Sequence, residues 1–353
     1  MELSVNFLTL HREPVRHGYF RAHAARDPFF DPVAKAWIVT NPAQCRHLIS
    51  SSELHPASYE EDYRALNERL GIDFPGLRFA FSHIPLCLHG DRHVRSRRRA
   101  SEFLAARRPM MSAQIPELIA RHFGRLARAG RLELMADVIV PLVHDVISLI
   151  VGTDIGSELE CRNASVVFDK SIGVTKRRRI DAEIAKLRET IASHLGEDSD
   201  EEDTGLRLAF LILGKDALTG TLGESLHRVL EDNPGQRLSD IDYPELPPET
   251  GVPYIERHVT APFEFAGCNF AQGERVRIFL QSFAYQDQEA SRTNFFGAGA
   301  HACLGRPLSL EIWKGIAAFL STIPLRASLL THVPRTSDYV FTCPEQLQVE
   351  LSG

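Results

Sequence analysis

Ten residues near the C-terminal end constrain this chain most. Phe296-Gly297-Ala298-Gly299-Ala300-His301-Ala302-Cys303-Leu304-Gly305 spells F-x-x-G-x-H-x-C-x-G without a gap. Gly299 and Gly305 can take φ > 0, so the backbone can turn tightly and approach the sulfur. Amide N–H groups turned onto that sulfur offset a buried negative charge. Phe296 is placed to shield it from water. A thiolate so held binds ferric iron and pushes electron density onto it. The competing reading is a free or disulfide-bonded cysteine in a Gly/Ala loop. Five fixed positions, followed by the apolar helical run Leu308 to Leu320, favour the ligand.

The run resembles the haem-binding loop of the cytochromes P450. That resemblance implies a mainly α fold with small β-sheets, with residues 1–353 as a single P450-like domain. It implies haem b (iron protoporphyrin IX) ligated through Cys303, with Phe296, Gly299, His301 and Gly305 around the sulfur. The implied activity is oxidoreductase chemistry on a small organic substrate, as in secondary metabolism, with a ferredoxin-type redox partner. Haem carries two carboxylates that need cations. His93 and Arg97 match the H-x-x-x-R pattern of the P450 helix C and share one helix face. Arg257 matches the arginine before the family's hairpin, and His301 precedes the ligand by two residues. These four are the expected propionate contacts.

Four departures accompany the matches. The central helix of most P450s carries A/G-G-x-D/E-T, whose acid and hydroxyl relay protons. Here the run is Leu213-Gly214-Lys215-Asp216-Ala217, so Gly214 and Asp216 survive and Ala217 lacks the hydroxyl. Only Thr221 of the nearby threonines falls on the same face. The E-x-x-R motif would fall on Glu245 to Pro248, where proline replaces arginine. The meander is shortened to Ala284 to Asn294, with Arg292 as a partial substitute. After the cysteine the chain reads Leu308-Ser-Leu-Glu-Ile312, not L-A-R-x-E. The expectation is a pared proximal side stabilised by packing of Leu308, Ile316, Phe319 and Leu320 more than by the usual buried ion network. The resemblance places the substrate pocket opposite Cys303, walled by Phe79, Phe81, Phe210, Leu213, Gly214, Ala217, Val259, Tyr339 and Phe341. Two alternatives stay open. One is haem-thiolate chemistry without reductive O₂ activation (peroxygenase, isomerase, dehydratase or bond-forming). The other is haem binding without catalysis.

Composition agrees with a globular enzyme. The 353 residues are 44% hydrophobic, and the formal charge of −6 gives no case for nucleic acid. Six scattered cysteines (Cys45, Cys87, Cys161, Cys268, Cys303, Cys343) suit a reducing cytoplasm better than a disulfide framework. Charges interrupt the first apolar stretch, and Pro141, His144 and Asp145 interrupt Val138 to Val151, so neither a signal, an anchor nor a membrane span is expected.

Periodicity and punctuation predict a strand over Trp37 to Thr40 and a helix from Asn41-Pro42. Further helices are expected over Gly90 to Ala106, Ile115 to Arg128, Val138 to Val151, Glu183 to His194 and Arg207 to Leu230. Glu197 to Asp203 reads as a solvated acidic loop. Pro244 to Pro253 excludes a long helix, and Phe263 to Phe283 reads as a hairpin with turns at Gly267 and Gly273. Cys87 and His89 with His93 could hold zinc, though no second cysteine pair supports it. Lys176 to Arg179 is a basic run that could attract an anionic or carrier-bound substrate. Arg97 to Arg99 with Arg107 and Arg108 could dock an acidic ferredoxin.

Overall fold

A 32-residue helix from Glu201 to Asp232 runs through the centre of the molecule. Leu206, Leu208, Leu211, Ile212, Leu218, Leu222 and Leu226 bury it on several sides, as an internal helix requires. It starts earlier than periodicity predicts. Asp200 accepts from the Asp203 amide as N-cap, and Glu201, Glu202 and Asp203 form the first turn, where negative charge suits the helix dipole. The acidic loop is therefore, from Glu201 on, helix.

This computed structural model describes residues 6–13, 16–57, 59–152, 164–168, 172–196, 200–286, 289–336 and 341–353. Its helices are α1 (Arg16–Ala22), α2 (Pro42–Ile49), α3 (Tyr59–Leu70), α4 (Pro75–His83), α5 (Gly90–Phe123), α6 (Val140–Val151), α7 (Val174–Leu195), α8 (Glu201–Asp232) and α9 (Arg306–Leu320). The strands are β1 (Phe29–Asp31), β2 (Ala36–Val39), β3 (Leu54–Pro56), β4 (Gly130–Glu133), β5 (Tyr254–Val259), β6 (Phe263–Phe265), β7 (Cys268–Phe270), β8 (Arg275–Phe279), β9 (Arg326–Pro334) and β10 (Pro344–Ser352). They form a sheet in the order β1-β2-β8-β5-β3, a second in the order β4-β10-β9, and the hairpin β6-β7. The fold is mainly helical with small sheets, as expected. No helix among the described residues is long and apolar enough to cross a membrane.

Two local expectations change. The two helices expected over Gly90 to Ala106 and Ile115 to Arg128 are one, α5, running through Pro109 and Pro116. Each interior proline costs a hydrogen bond and a steric clash, about 3 kcal/mol. Burial of Met111, Ile115, Leu118, Ile119 and Phe123 against α6 and α9 outweighs it. The hairpin turns at Gly267 as expected but ends at Phe270. Ala266 and Gly267, at φ 51° and 71°, form a two-residue turn with both central residues left-handed. Beyond Gly273 the chain leaves that hairpin, and β8 pairs in parallel with β2 and antiparallel with β5.

The proximal packing is present. Leu308, Ile312, Trp313, Ile316 and Leu320 bury one face of α9, and Trp313 Nε1 donates to the Pro244 carbonyl at 2.9 Å. Buried charge is present beside that packing. Arg16 of α1 and Glu224 of α8, 2% and 1% exposed, pair at 2.7 Å. Glu249 is buried nearby, 3.9 Å from His17. Arg292 acts on Glu249 electrostatically, as do Arg16 and Arg228. The acid and the arginines of this network come from distant segments, so no local motif announces it.

Burial, together with neighbouring cations, pushes His17 and His227 down to about 3, and burial pushes Glu249 up to about 7. Between about 3 and 6.5 the unfolded chain binds protons at both histidines that the fold does not. Glu249 acts oppositely between 4.5 and about 7, where the fold keeps a proton the unfolded chain has lost. Two groups therefore oppose one in the shared window. Stability falls as pH drops from about 6.5 to about 5. Denaturant midpoints at those two pH values check this, and a midpoint that rises on acidification contradicts it.

Close backbone approach supplies a second test. A Cβ on Gly220 would collide with the Thr342 carbonyl and lie 3.0 Å from Gly251 Cα. Gly220→Ala is expected to destabilise by about 1–3 kcal/mol. Gly18→Ala, in helix α1 with nothing within 4 Å, should be neutral or stabilising. Melting temperatures of the two variants decide it.

Candidate functional site

Cys303 ends a loop fixed by its own backbone. Its N–H donates to the Phe296 carbonyl at 2.7 Å, and the Ala302 N–H donates to Gly299 at 3.2 Å. Gly297 and Gly299 sit at φ 68° and 65°, conformations that suit glycine. Gly305 does not share that role. It is the N-cap of α9 at φ −77°, and a Cβ there would lie in ordinary contact with the Cys303 sulfur, at 3.6 Å. The N–H groups of Gly305 and Arg306 are turned onto Sγ, as expected. Burial is the largest influence on the thiol and raises it; those two donors and Arg97 work in the opposite direction. The residue still presents surface to solvent. Phe296 is half-buried, with the Arg306 guanidinium 6.0 Å from its ring centre.

The expected cations converge beside this loop. The rings of His93 and His301 lie 4.1 Å apart, and Arg97 donates to the Ala302 carbonyl at 2.6 Å. Burial, then His93, Arg257, Arg97 and His89, push His301 down to about 3. Arg257 is 4% exposed, and burial lowers it to about 10. Its Nη1 donates to the Glu256 carbonyl at 3.0 Å. His93 Nε2 and His301 Nδ1 are buried and lack hydrogen-bond partners. So many positive or donor groups sharing one place, with unsatisfied nitrogens among them, fit a dianionic ligand. Sequence reasoning gave His89, the N-cap of α5, only to a candidate zinc site and missed His55, stacked on it at 5.2 Å. His89 stands four residues before His93, the same spacing that singled out Arg97.

On α8, Asp216 is 2% exposed, so it is not a surface acid. Gly214 lies against Ile147, 3.0 Å from a Cβ placed there. Thr221 does not replace the hydroxyl missing at Ala217. Its Oγ1 donates to the Ala217 carbonyl at 2.8 Å and accepts from the Gly251 amide at 2.9 Å.

The expected pocket residues lie on several elements. Phe79 and Phe81 belong to α4. Phe79 carries the Arg188 guanidinium 3.9 Å above its ring, and Phe81 stacks on Tyr59 at 4.6 Å. Phe210 stacks on Phe103 of α5 at 5.4 Å. Leu213 and Phe341 are partly buried against the main core, and Val259 is buried in the sheet cluster. Tyr339 lies outside the described residues. A cavity of about 460 Å³ opens between α3, the start of α7 and the strands β5 and β8. Tyr59, Tyr63, Leu66, Arg177 and His258 are among its lining residues.

The other candidates resolve differently. Cys87, His89 and His93 are not brought within metal-ligand reach; among the described residues only Glu224, His227 and His332 are. In the basic run, Arg177 turns inward to Tyr63 Oη at 2.7 Å and Arg179 pairs with Glu183 at 3.0 Å. Arg99 is bound to Asp200 at 2.7 Å and to Glu202, and Arg108 to Glu311 at 3.0 Å. Much of the expected docking charge is therefore already engaged.

No family model matches the chain, and no curated protein matches it in sequence. Solved structures do. CalO2 superposes with a TM-score of 0.75 at 16% identity, over 97% of this chain and 98% of that one. P450BioI, solved with an acyl carrier protein ligated to hexadec-9Z-enoic acid, gives 0.71 at 17% identity over 96% and 98%. The cytochrome P450 PksS of the bacillaene polyketide synthase of Bacillus subtilis 168 gives 0.72 at 16% identity over 98% of both chains. The chain has the cytochrome P450 fold.

The bond from Arg97 to Ala302 pins the cysteine loop. Arg97→Ala is expected to lower stability by about 1–2 kcal/mol and to speed amide exchange at Cys303. Arg97→Lys should recover part of both. Unchanged exchange in Arg97→Ala would show the bond to be incidental.

Proposed function

We propose that this chain is a haem-thiolate oxidoreductase acting on a small organic substrate, with haem b bound through Cys303. The observation that carries the reading is one arrangement. A cysteine sulfur stands at the head of α9 with two backbone donors on it, beside a nest of cations that includes a buried arginine. In this reading His93, Arg97, Arg257 and His301 hold the propionates. Bound haem would supply the redox chemistry, and the thiolate would tune it.

The protein's own contribution is binding, orientation and proton placement. Phe296 flanks the cysteine loop and the α9 core packs behind it, and with haem bound they would limit water at the sulfur. Asp216 is the buried acid on the helix that faces the substrate side in this fold, and it moves protons there with water as its relay. Its removal should cost about 10²–10⁴ in turnover. Phe79, Phe81, Leu213, Val259, Tyr339 and Phe341 are proposed to shape the pocket, with Phe210 supporting α8 from behind. The cavity beside Tyr59 and His258 has the size of a small-molecule site. A polyketide-related or carrier-bound substrate is the class suggested by the names of PksS and of the P450BioI complex. A ferredoxin-type partner and a cytoplasmic setting complete the proposal, with residues 1–353 acting as one domain.

A second reading is chemistry without reductive O₂ activation. The methyl of Ala217 and the engaged hydroxyl of Thr221 favour it. Turnover with ferredoxin, reductase and NAD(P)H, against turnover with peroxide or substrate alone, separates the two readings. The expected spectrum of the reduced protein with CO is that of a thiolate-ligated haem, and Cys303→Ala should lose it. Retention of that spectrum in Cys303→Ala would refute the assignment. Arg257→Met should weaken haem retention at least tenfold, measured by transfer to apomyoglobin.

A further inference from the structure

A second cluster of ligand-type side chains lies away from the cysteine loop. Glu224 and His227 stand three residues apart on α8 and share one face. His332 of β9 meets them. One ligand atom from each of the three lies within 4.8 Å of the others. Glu224 is 1% exposed and His227 8%, and the rings of His227 and His332 stack at 3.6 Å.

The cluster is incompletely satisfied. Glu224 Oε2 accepts from Arg16 at 2.7 Å, while Oε1 is buried with no hydrogen-bond partner. His332 Nε2 is also buried and unpartnered. Unmet lone pairs on a buried carboxylate and a buried imidazole are costly, and one cation meets both.

We propose that Glu224, His227 and His332 bind a divalent transition-metal ion, zinc by ligand type, which ties α8 to the C-terminal sheet. Two imidazoles and one carboxylate form a set that zinc takes, with the fourth position left to water. Arg16 occupies the other carboxylate oxygen, as an outer partner orienting a ligand does. The surrounding charge permits a cation. Arg16 faces two buried carboxylates, Glu224 and Glu249, while Arg228 is paired with Asp232 at 2.8 Å and Glu231 at 3.7 Å. The two rings now stack 14° from parallel, so binding requires one imidazole to turn until its in-plane lone pair meets that of the other at the ion. The ion would join a central helix to a strand more than a hundred residues later in the chain.

The full-length protein, stripped with chelator, is titrated with Zn²⁺ by calorimetry and with Co²⁺ by absorption. The expected result is one equivalent bound, with tetrahedral Co²⁺ bands and no thiolate charge-transfer band. Zn²⁺ should raise the melting temperature. Cys303→Ala should bind as the wild type does, which separates this site from the cysteine loop. His332→Gln and Glu224→Gln should weaken binding at least tenfold, with circular dichroism reporting their folding. Absence of stoichiometric Co²⁺ or Zn²⁺ binding by the wild type overturns the proposal, independently of how any variant folds. So does a thiolate charge-transfer band, or wild-type affinity in folded His332→Gln.

Discussion

Everything distinctive in this molecule depends on how one sulfur is held. The Phe296 carbonyl fixes the cysteine's backbone, two left-handed glycines bring the loop round, and the first turn of α9 offers its free N–H groups to Sγ. These are the same donors that every helix leaves unpaired at its start. The loop therefore sets against the cost of burial two donors that the fold already had to satisfy. The histidines and arginines gather on one side of it, and the apolar face of α9 lies behind it.

How much of this could be read from sequence depended on how local the determinants are. The cysteine loop was legible because its residue types follow one another within ten positions. The cationic nest was half legible. His93 and Arg97 share a helix face, but their meeting with Arg257 is a matter of tertiary folding. The propionate residues were inferred through resemblance and then found together. The backbone role given to Gly305 was mistaken, since the residue sits at φ −77° as the N-cap of α9. Helix α5 was cut in two because a proline's local penalty is visible in sequence, whereas the burial that overrides it is not.

The buried ion network shows the same limit from the other side. The loss of the E-x-x-R arginine was visible, and it suggested a proximal region held by packing more than by the usual buried ion network. The chain instead places charge pairs between α1, α8 and the irregular segment around Glu249. Arg16 and Glu224 are 208 residues apart in the chain, so no pattern in either neighbourhood declares the other. A missing motif marks a lost local solution and says nothing of a distant one.

Helix α5 gives the cysteine loop a mechanical neighbour. Arg97 grips the loop through Ala302, and Pro109 weakens the same helix twelve residues on, about 18 Å away. A tilt of about 5° at that joint would swing the guanidinium by about 1.5 Å, enough to stretch its grip past hydrogen-bonding range. The grip on the cysteine loop and the missing backbone hydrogen bond at Pro109 therefore lie on one continuous helix, so the straightness of α5 is a condition for the bond from Arg97 to Ala302.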